Sequence, residues 1–124
     1  MGRERNVLGG PLESCGADPV TGFYRDGCCR TGLQDRGKHV VCATVTDAFL
    51  EFSKANGNDL ITPQKDFGFV GLKAGDAWCL CTDRWEEARQ AGVAPPILLE
   101  ATHEAALLVI CLDDLREHAK SSPV

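Results

Sequence analysis

The chain has 124 residues, 44% of them hydrophobic, with thirteen basic against eighteen acidic residues and a net charge of -5. That length suits one hydrophobic core, so residues 1–124 are expected to form a single domain, and the acidic balance without a basic cluster offers a nucleic-acid backbone little to bind. No apolar run approaches the roughly 20 residues needed to span a bilayer, and Met1-Gly2-Arg3-Glu4-Arg5 leads into no signal-peptide core, so no membrane partner and a cytoplasmic location are expected.

Residues 1–37 carry the turn signals Gly9-Gly10-Pro11, Asp18-Pro19, Asp26-Gly27 and Arg36-Gly37, which predict an extended, loop-rich wrap around a helix-and-strand core at 38–120. Lys38 to Thr44 reads as a strand. Thr46 is an N-cap signal: Asp47 follows in the first turn, Val45 and Leu50 have hydrophobic-staple spacing, and Gly57 stands where the helix stops. A second strand, Ala77 to Cys81, alternates so that Trp78 and Leu80 face one way and Cys79 and Cys81 the other, with the two cysteines roughly 6.6 Å apart along the backbone. Asp83 then predicts the cap of a helix, with Glu86 three residues on, and Gly92 before Pro95-Pro96 predicts its end. A third strand is expected at Ile97 to Glu100, a further helix from Thr102 that β-branched Val109-Ile110 interrupts, and a last turn or two at Leu112 to Lys120. Helices and short strands in this mixed order predict an α+β two-layer sandwich with a small mixed sheet.

Several segments, taken together, carry a family resemblance. They are Asn6-Val7-Leu8-Gly9-Gly10, Thr21-Gly22-Phe23-Tyr24-Arg25-Asp26-Gly27-Cys28-Cys29, His39-Val40-Val41-Cys42-Ala43, Gly57-Asn58-Asp59-Leu60, Gly75-Asp76-Ala77-Trp78-Cys79-Leu80-Cys81, Arg84-Trp85 and Ala101-Thr102-His103. Over nearly its whole length the chain resembles the family called domain of unknown function 2237. The resemblance implies a small single-domain α+β protein and no particular activity. Val70, in place of the proline of a Phe-Pro-Gly-Leu run, and Cys111, in place of a polar cap, depart from the family pattern.

Seven cysteines are an odd count without an export signal, which disfavours a full disulfide framework and favours reduced thiols, metal ligands or reactive cysteines. Cys81, ahead of a helix N-terminus and beside Arg84, is the candidate nucleophile; Cys79 is its neighbour and His103 the candidate base. The turn after the first helix offers Asn58, Asp59 and Thr62 to a polar small molecule, and Arg25, Asp26 and Arg84 add charged groups. A zinc ion is the conceivable cofactor, with Cys28, His39, Cys42, Cys79 and Cys81 as ligand types, although no Cys-x-x-Cys pair exists. Against each of these stands a plainer structural role: buried thiols, a self-bonded Asx turn, an internal ion pair. Three functional readings therefore stay open: a cysteine-containing small-molecule site with thiol-dependent chemistry, a zinc- or ligand-binding module without turnover, and an interaction protein with buried reduced cysteines.

Overall fold

The computed structural model describes residues 4–16, 21–22, 24–32, 34–35, 38–67 and 69–119. The expected turns at Asp18-Pro19 and Arg36-Gly37, and the last residue of the expected C-terminal helix, Lys120, lie outside them. The fold is α+β. Strand β1 (His39–Thr44) leads to helix α1 (Asp47–Ala55), strand β2 (Ala77–Cys81) runs straight into helix α2 (Thr82–Gln90), and a short helix α3 (Leu112–Glu117) closes the order.

β1 and β2 form a two-stranded antiparallel sheet whose register pairs Val41 with Leu80, Cys42 with Cys79 and Ala43 with Trp78. Strand alternation then divides the chemistry. Val41, Ala43, Trp78 and Leu80 join the main core with Phe49 and Leu50 of α1 and Trp85 and Ala88 of α2, whereas Cys42 and Cys79 form a separate buried cluster with Cys15, Cys29 and Ala101. α1 begins as its cap signal predicts: the Phe49 N–H donates to Thr46 Oγ1 (3.1 Å), and Val45 and Leu50 are both buried.

Four local expectations are corrected. The sheet is antiparallel and two-stranded rather than mixed, because the segment after Pro95-Pro96 pairs only at Ile97, beside Ala43 on one side and Ala119 on the other, before the chain turns into a 3-10 turn at Leu99–Ala101. α2 is capped at Cys81 rather than Asp83, since ladder pairing persists through Cys81 and leaves no linker; Asp83 instead sits in the first turn. The helix expected from Thr102 is a 3-10 segment, Glu104–Leu108. The Thr102 hydroxyl is engaged elsewhere, donating to Leu98 O (2.9 Å) and accepting from the Cys42 N–H (3.2 Å), so it does not cap. His103 caps instead, its Nδ1 accepting from the Ala105 N–H at 2.9 Å.

Fourth, the expectation of reduced cysteines fails for four of the seven. Cys15 is bonded to Cys42 and Cys29 to Cys79, across sequence separations of 27 and 50, so both bridges fasten the N-terminal segment to the sheet. Of the neighbours Cys28 and Cys29, the second points inward.

Trp85 fills the centre of the main core, fully buried, with Nε1 donating to Pro95 O at 3.1 Å. Trp85→Ala is expected to cost about 3–5 kcal/mol in urea unfolding, against about 1 kcal/mol for Thr46→Ala, which removes only the α1 cap. Equal effects of the two would contradict the placement of the core.

Candidate functional site

A cavity of about 650 Å³ opens beside the sheet. Its apolar lining comes from Leu60, Phe69, Trp78 and Leu80, and its polar lining from Arg25, His39, Asn58, Gln64, Cys81 and Arg84. Such a volume, apolar with a few polar groups, matches sites for small organic molecules.

The β1–β2 ladder builds the polar edge. Between His39 and Val41 the register shifts by a bulge, which makes His39 rather than Val40 the partner of Cys81. A bulge of this kind re-aims the side chain next to it. The local backbone is unusual on both sides. Lys38 lies at φ 53, and the Val40 N–H donates to Lys38 O (2.8 Å) across a three-residue turn centred on His39. Asp35, fully buried, holds the residue in place: Oδ2 accepts from the His39 N–H (2.9 Å) and the Thr31 hydroxyl (3.1 Å), and Oδ1 lies 2.6 Å from His39 Nδ1. Asp35 and His39 thus form a carboxylate–imidazole pair, and Cys81, the ladder partner of His39, lines the same cavity.

Arg25, Arg84 and Asp59 supply the charged groups of the lining. Arg25 also adopts a left-handed backbone, φ 55, and its guanidinium lies over the Trp78 ring at 5.1 Å while Nη1 donates to Gly22 O. Gly22 itself, at φ 102, has no room for a side chain, because a Cβ there would meet the Cys28 carbonyl oxygen. Non-glycine residues in this region are costly and concentrate at functional sites, and here they are Arg25 in the lining and Lys38 next to His39. Arg84, on the first turn of α2, donates from Nη1 to Asn56 O at 2.8 Å and pairs with Glu87 at 3.4 Å.

The remaining candidates separate clearly. Asn58 and Asp59 line the cavity, and Asp59 Oδ1 also accepts from the Ile61 and Thr62 N–H groups, an Asx turn whose hydrogen bonds, with Thr62 first, hold its carboxyl below the ordinary range. Thr62 is exposed and outside the lining. Asp26 does not pair with Arg25. Its partner is Arg30 at 2.7 Å; burial pushes the Asp26 carboxyl up, but the Arg30 hydrogen bond, the Cys28 N–H and the Arg30 charge outweigh it and hold the group low. His103 stands apart from the cavity, with Nε2 2.7 Å from Glu4 Oε2, and ties residue 4 to the core; the imidazole at the cavity is His39. Cys79 reaches the lining as half of a disulfide, so Cys81 is the thiol there. The zinc set Cys28, His39, Cys42, Cys79 and Cys81 does not converge, since Cys42 and Cys79 are bonded to other cysteines and Cys28 sits with Asp26 and Arg30. Asp35, Phe69 and Gln64 carried no signal in the sequence; they meet the site only through the fold.

The chain belongs to the family described as an uncharacterized protein conserved in bacteria, DUF2237, whose model matches residues 5–119. No curated protein matches the chain. Among the described residues no helix is long and apolar enough to cross a membrane.

Partial burial raises the Cys28 thiol pKa and the Asp26 charge adds to that, with Arg30 opposing. A raised pKa means less thiolate at neutral pH, so Cys28 is expected to alkylate slowly, and Asp26→Asn to speed it about two- to threefold. Peptide mass spectrometry of iodoacetamide-treated protein reads the rate, and an unchanged rate in the variant contradicts the electrostatic cause.

Proposed function

We propose that this protein binds a small organic anion in the cavity bordered by Arg25 and Arg84, and that Cys81 acts on it as a nucleophile with His39 as base and Asp35 as the group that orients the imidazole. One observation carries the reading: His39, held at Nδ1 by buried Asp35 at 2.6 Å, is the cross-strand partner of Cys81, and both border the cavity. Direct partners in an antiparallel ladder keep their Cβ atoms about 5 Å apart, which is within side-chain reach.

A neutral imidazole that donates from Nδ1 to Asp35 carries its lone pair on Nε2, the tautomer a base requires. Transfer of the Cys81 proton to Nε2 leaves a thiolate and an imidazolium, the latter steadied by the Asp35 carboxylate. The thiolate forms a C–S bond to an electrophilic carbon of the ligand, and the proton on His39 passes to the leaving group. The Thr82 N–H is engaged by Lys38 O (3.1 Å), and the N–H groups of the rest of the first turn of α2, which follows Cys81 directly, are donors for negative charge developing beside it. Trp78, Phe69 and Leu80 supply an apolar wall, and the arginines select for a carboxylate or similar anion. We place this activity in the cytoplasm, where Cys81 stays reduced; the three free thiols Cys28, Cys81 and Cys111 suit that compartment better than a secreted framework.

Alkylation tests both halves. At pH 7 Cys81 is expected to label about tenfold faster than exposed Cys111, and His39→Gln or Asp35→Asn to abolish the difference. Negatively charged iodoacetate is expected to gain on neutral iodoacetamide at Cys81, and Arg25→Ala with Arg84→Ala to remove that gain. Equal labelling of Cys81 and Cys111 in the unmodified protein, or a rate indifferent to His39→Gln, overturns the nucleophile. Indifference to the reagent's charge overturns the anion.

A further inference from the structure

The sheet face that carries Cys42 and Cys79 holds a second constellation of sulfur atoms. Cys15, Cys29, Cys42 and Cys79 are all buried, and among the described residues the Sγ atoms of Cys15, Cys29 and Cys79 lie within 4.8 Å of one another, with Cys42 bonded to Cys15. We propose that these four cysteines form a tetrathiolate zinc site when the protein is reduced, and that the paired disulfides are its oxidised, metal-free counterpart.

The geometry suits the ion. A zinc ion with Zn–S bonds of about 2.3 Å in a tetrahedron holds its sulfurs roughly 3.8 Å apart; the sulfurs of Cys15, Cys29 and Cys79 are already gathered within 4.8 Å of one another, and reduction of the Cys15–Cys42 bond frees Cys42 as the fourth. Two of the ligands are fixed by the sheet, because Cys42 and Cys79 are ladder partners. Their backbones are held from outside as well: the Cys42 N–H donates to Thr102 Oγ1 (3.2 Å) and the Cys79 N–H to Thr21 Oγ1 (2.8 Å). The other two ligands arrive on the N-terminal segment, which is packed tightly, the Cys15 N–H donating to Gly27 O at 2.7 Å. Apolar Ala77 and Ala101 complete the surroundings, which favour a closed site over a catalytic one with an open position. Cys79 also touches the cavity, so reductant and metal have a route in.

The interconversion balances. Two molecules of a dithiol reductant each give two electrons and two protons, becoming two disulfides while the protein's two disulfides become four thiols; zinc then binds four thiolates and four protons leave. A reducing cytoplasm favours the zinc form and an oxidising challenge the bridged form, with the N-terminal segment fastened to the sheet in both. The nucleophile Cys81 is not needed for any of this.

The test uses the full chain carrying Cys28→Ser, Cys81→Ser and Cys111→Ser, which leaves only the four buried cysteines. After reduction with dithiothreitol and anaerobic desalting, cobalt(II) is expected to bind one per chain with the visible bands and thiolate charge transfer of a tetrahedral tetrathiolate, zinc to displace it, and the oxidised protein to bind neither. A further Cys29→Ser is expected to weaken the charge-transfer band by about a quarter, the share of one of four thiolates. A reduced protein that stays folded by circular dichroism without taking up stoichiometric metal overturns the site. So does one that unfolds and is not refolded by zinc, and so does metal binding unchanged by Cys29→Ser.

Discussion

The fold and the site both depend on the register of one short antiparallel ladder. Two strands alone are marginal in water, so this sheet has to be held from both faces. On one face the aliphatic side chains of β1 and β2 pack against α1 and α2; on the other, Cys42 and Cys79 anchor the N-terminal segment through disulfides. Closing loops of these lengths removes unfolded-state entropy worth about 3–4 kcal/mol per bridge in the chain-entropy account, and the two are not independent because their loops overlap. A slip of one residue would send the cysteines into the helix-facing core and break both bridges. The register is therefore fixed twice, by apolar burial and by covalent connection.

Where that register is broken, it is broken in favour of the site. The bulge at Val40 sits at the end of the ladder, buries Val40 in the main core and makes His39 the partner of Cys81. Backbone cost is concentrated nearby, at Lys38 and Arg25, while the buried Asp35 supplies three interactions that hold the distorted segment. Buried ionisable groups are retained when partners satisfy them, and here the chief partner leads outward to the cavity.

Much of this was legible in the residues, and the rest was hidden for identifiable reasons. Thr46, Val45, Leu50 and Gly57 announced α1 because capping and stapling are local chemistry. The alternation through Trp78-Cys79-Leu80-Cys81 announced β2 and the opposite facing of its side chains. α2 began two residues earlier than the Asp83 cap suggested, because pairing across the sheet through Cys81 overrode a local cap. The disulfides were not readable, since nothing in the spacing of Cys15, Cys29, Cys42 and Cys79 says which loop returns to which strand. His103 was the natural base by residue type, yet it is consumed by Glu4 and the cap at Ala105. The histidine that lines the cavity is His39, placed opposite Cys81 by a bulge, and a bulge has no sequence signature here. Arg25 and Arg84, Asn58 and Asp59 do meet at one cavity, while Asp26 and Thr62 are spent on their own turns.

β2 links the two sulfur systems in a way that neither shows alone. Cys79 and Cys81 are two residues apart on a five-residue strand, the first bonded within the buried cluster and the second free at the head of α2, and both border the cavity. Any change in the bonding of Cys79 acts on a backbone whose N–H is held by Thr21 and whose ladder partner is Cys42, so the strand has little freedom to absorb it locally. A chain this small has one sheet on which to place both its covalent fastening and a free thiol, and strand alternation puts Cys79 and Cys81 on the same face, where the disulfide to Cys29 engages the first and leaves the second free.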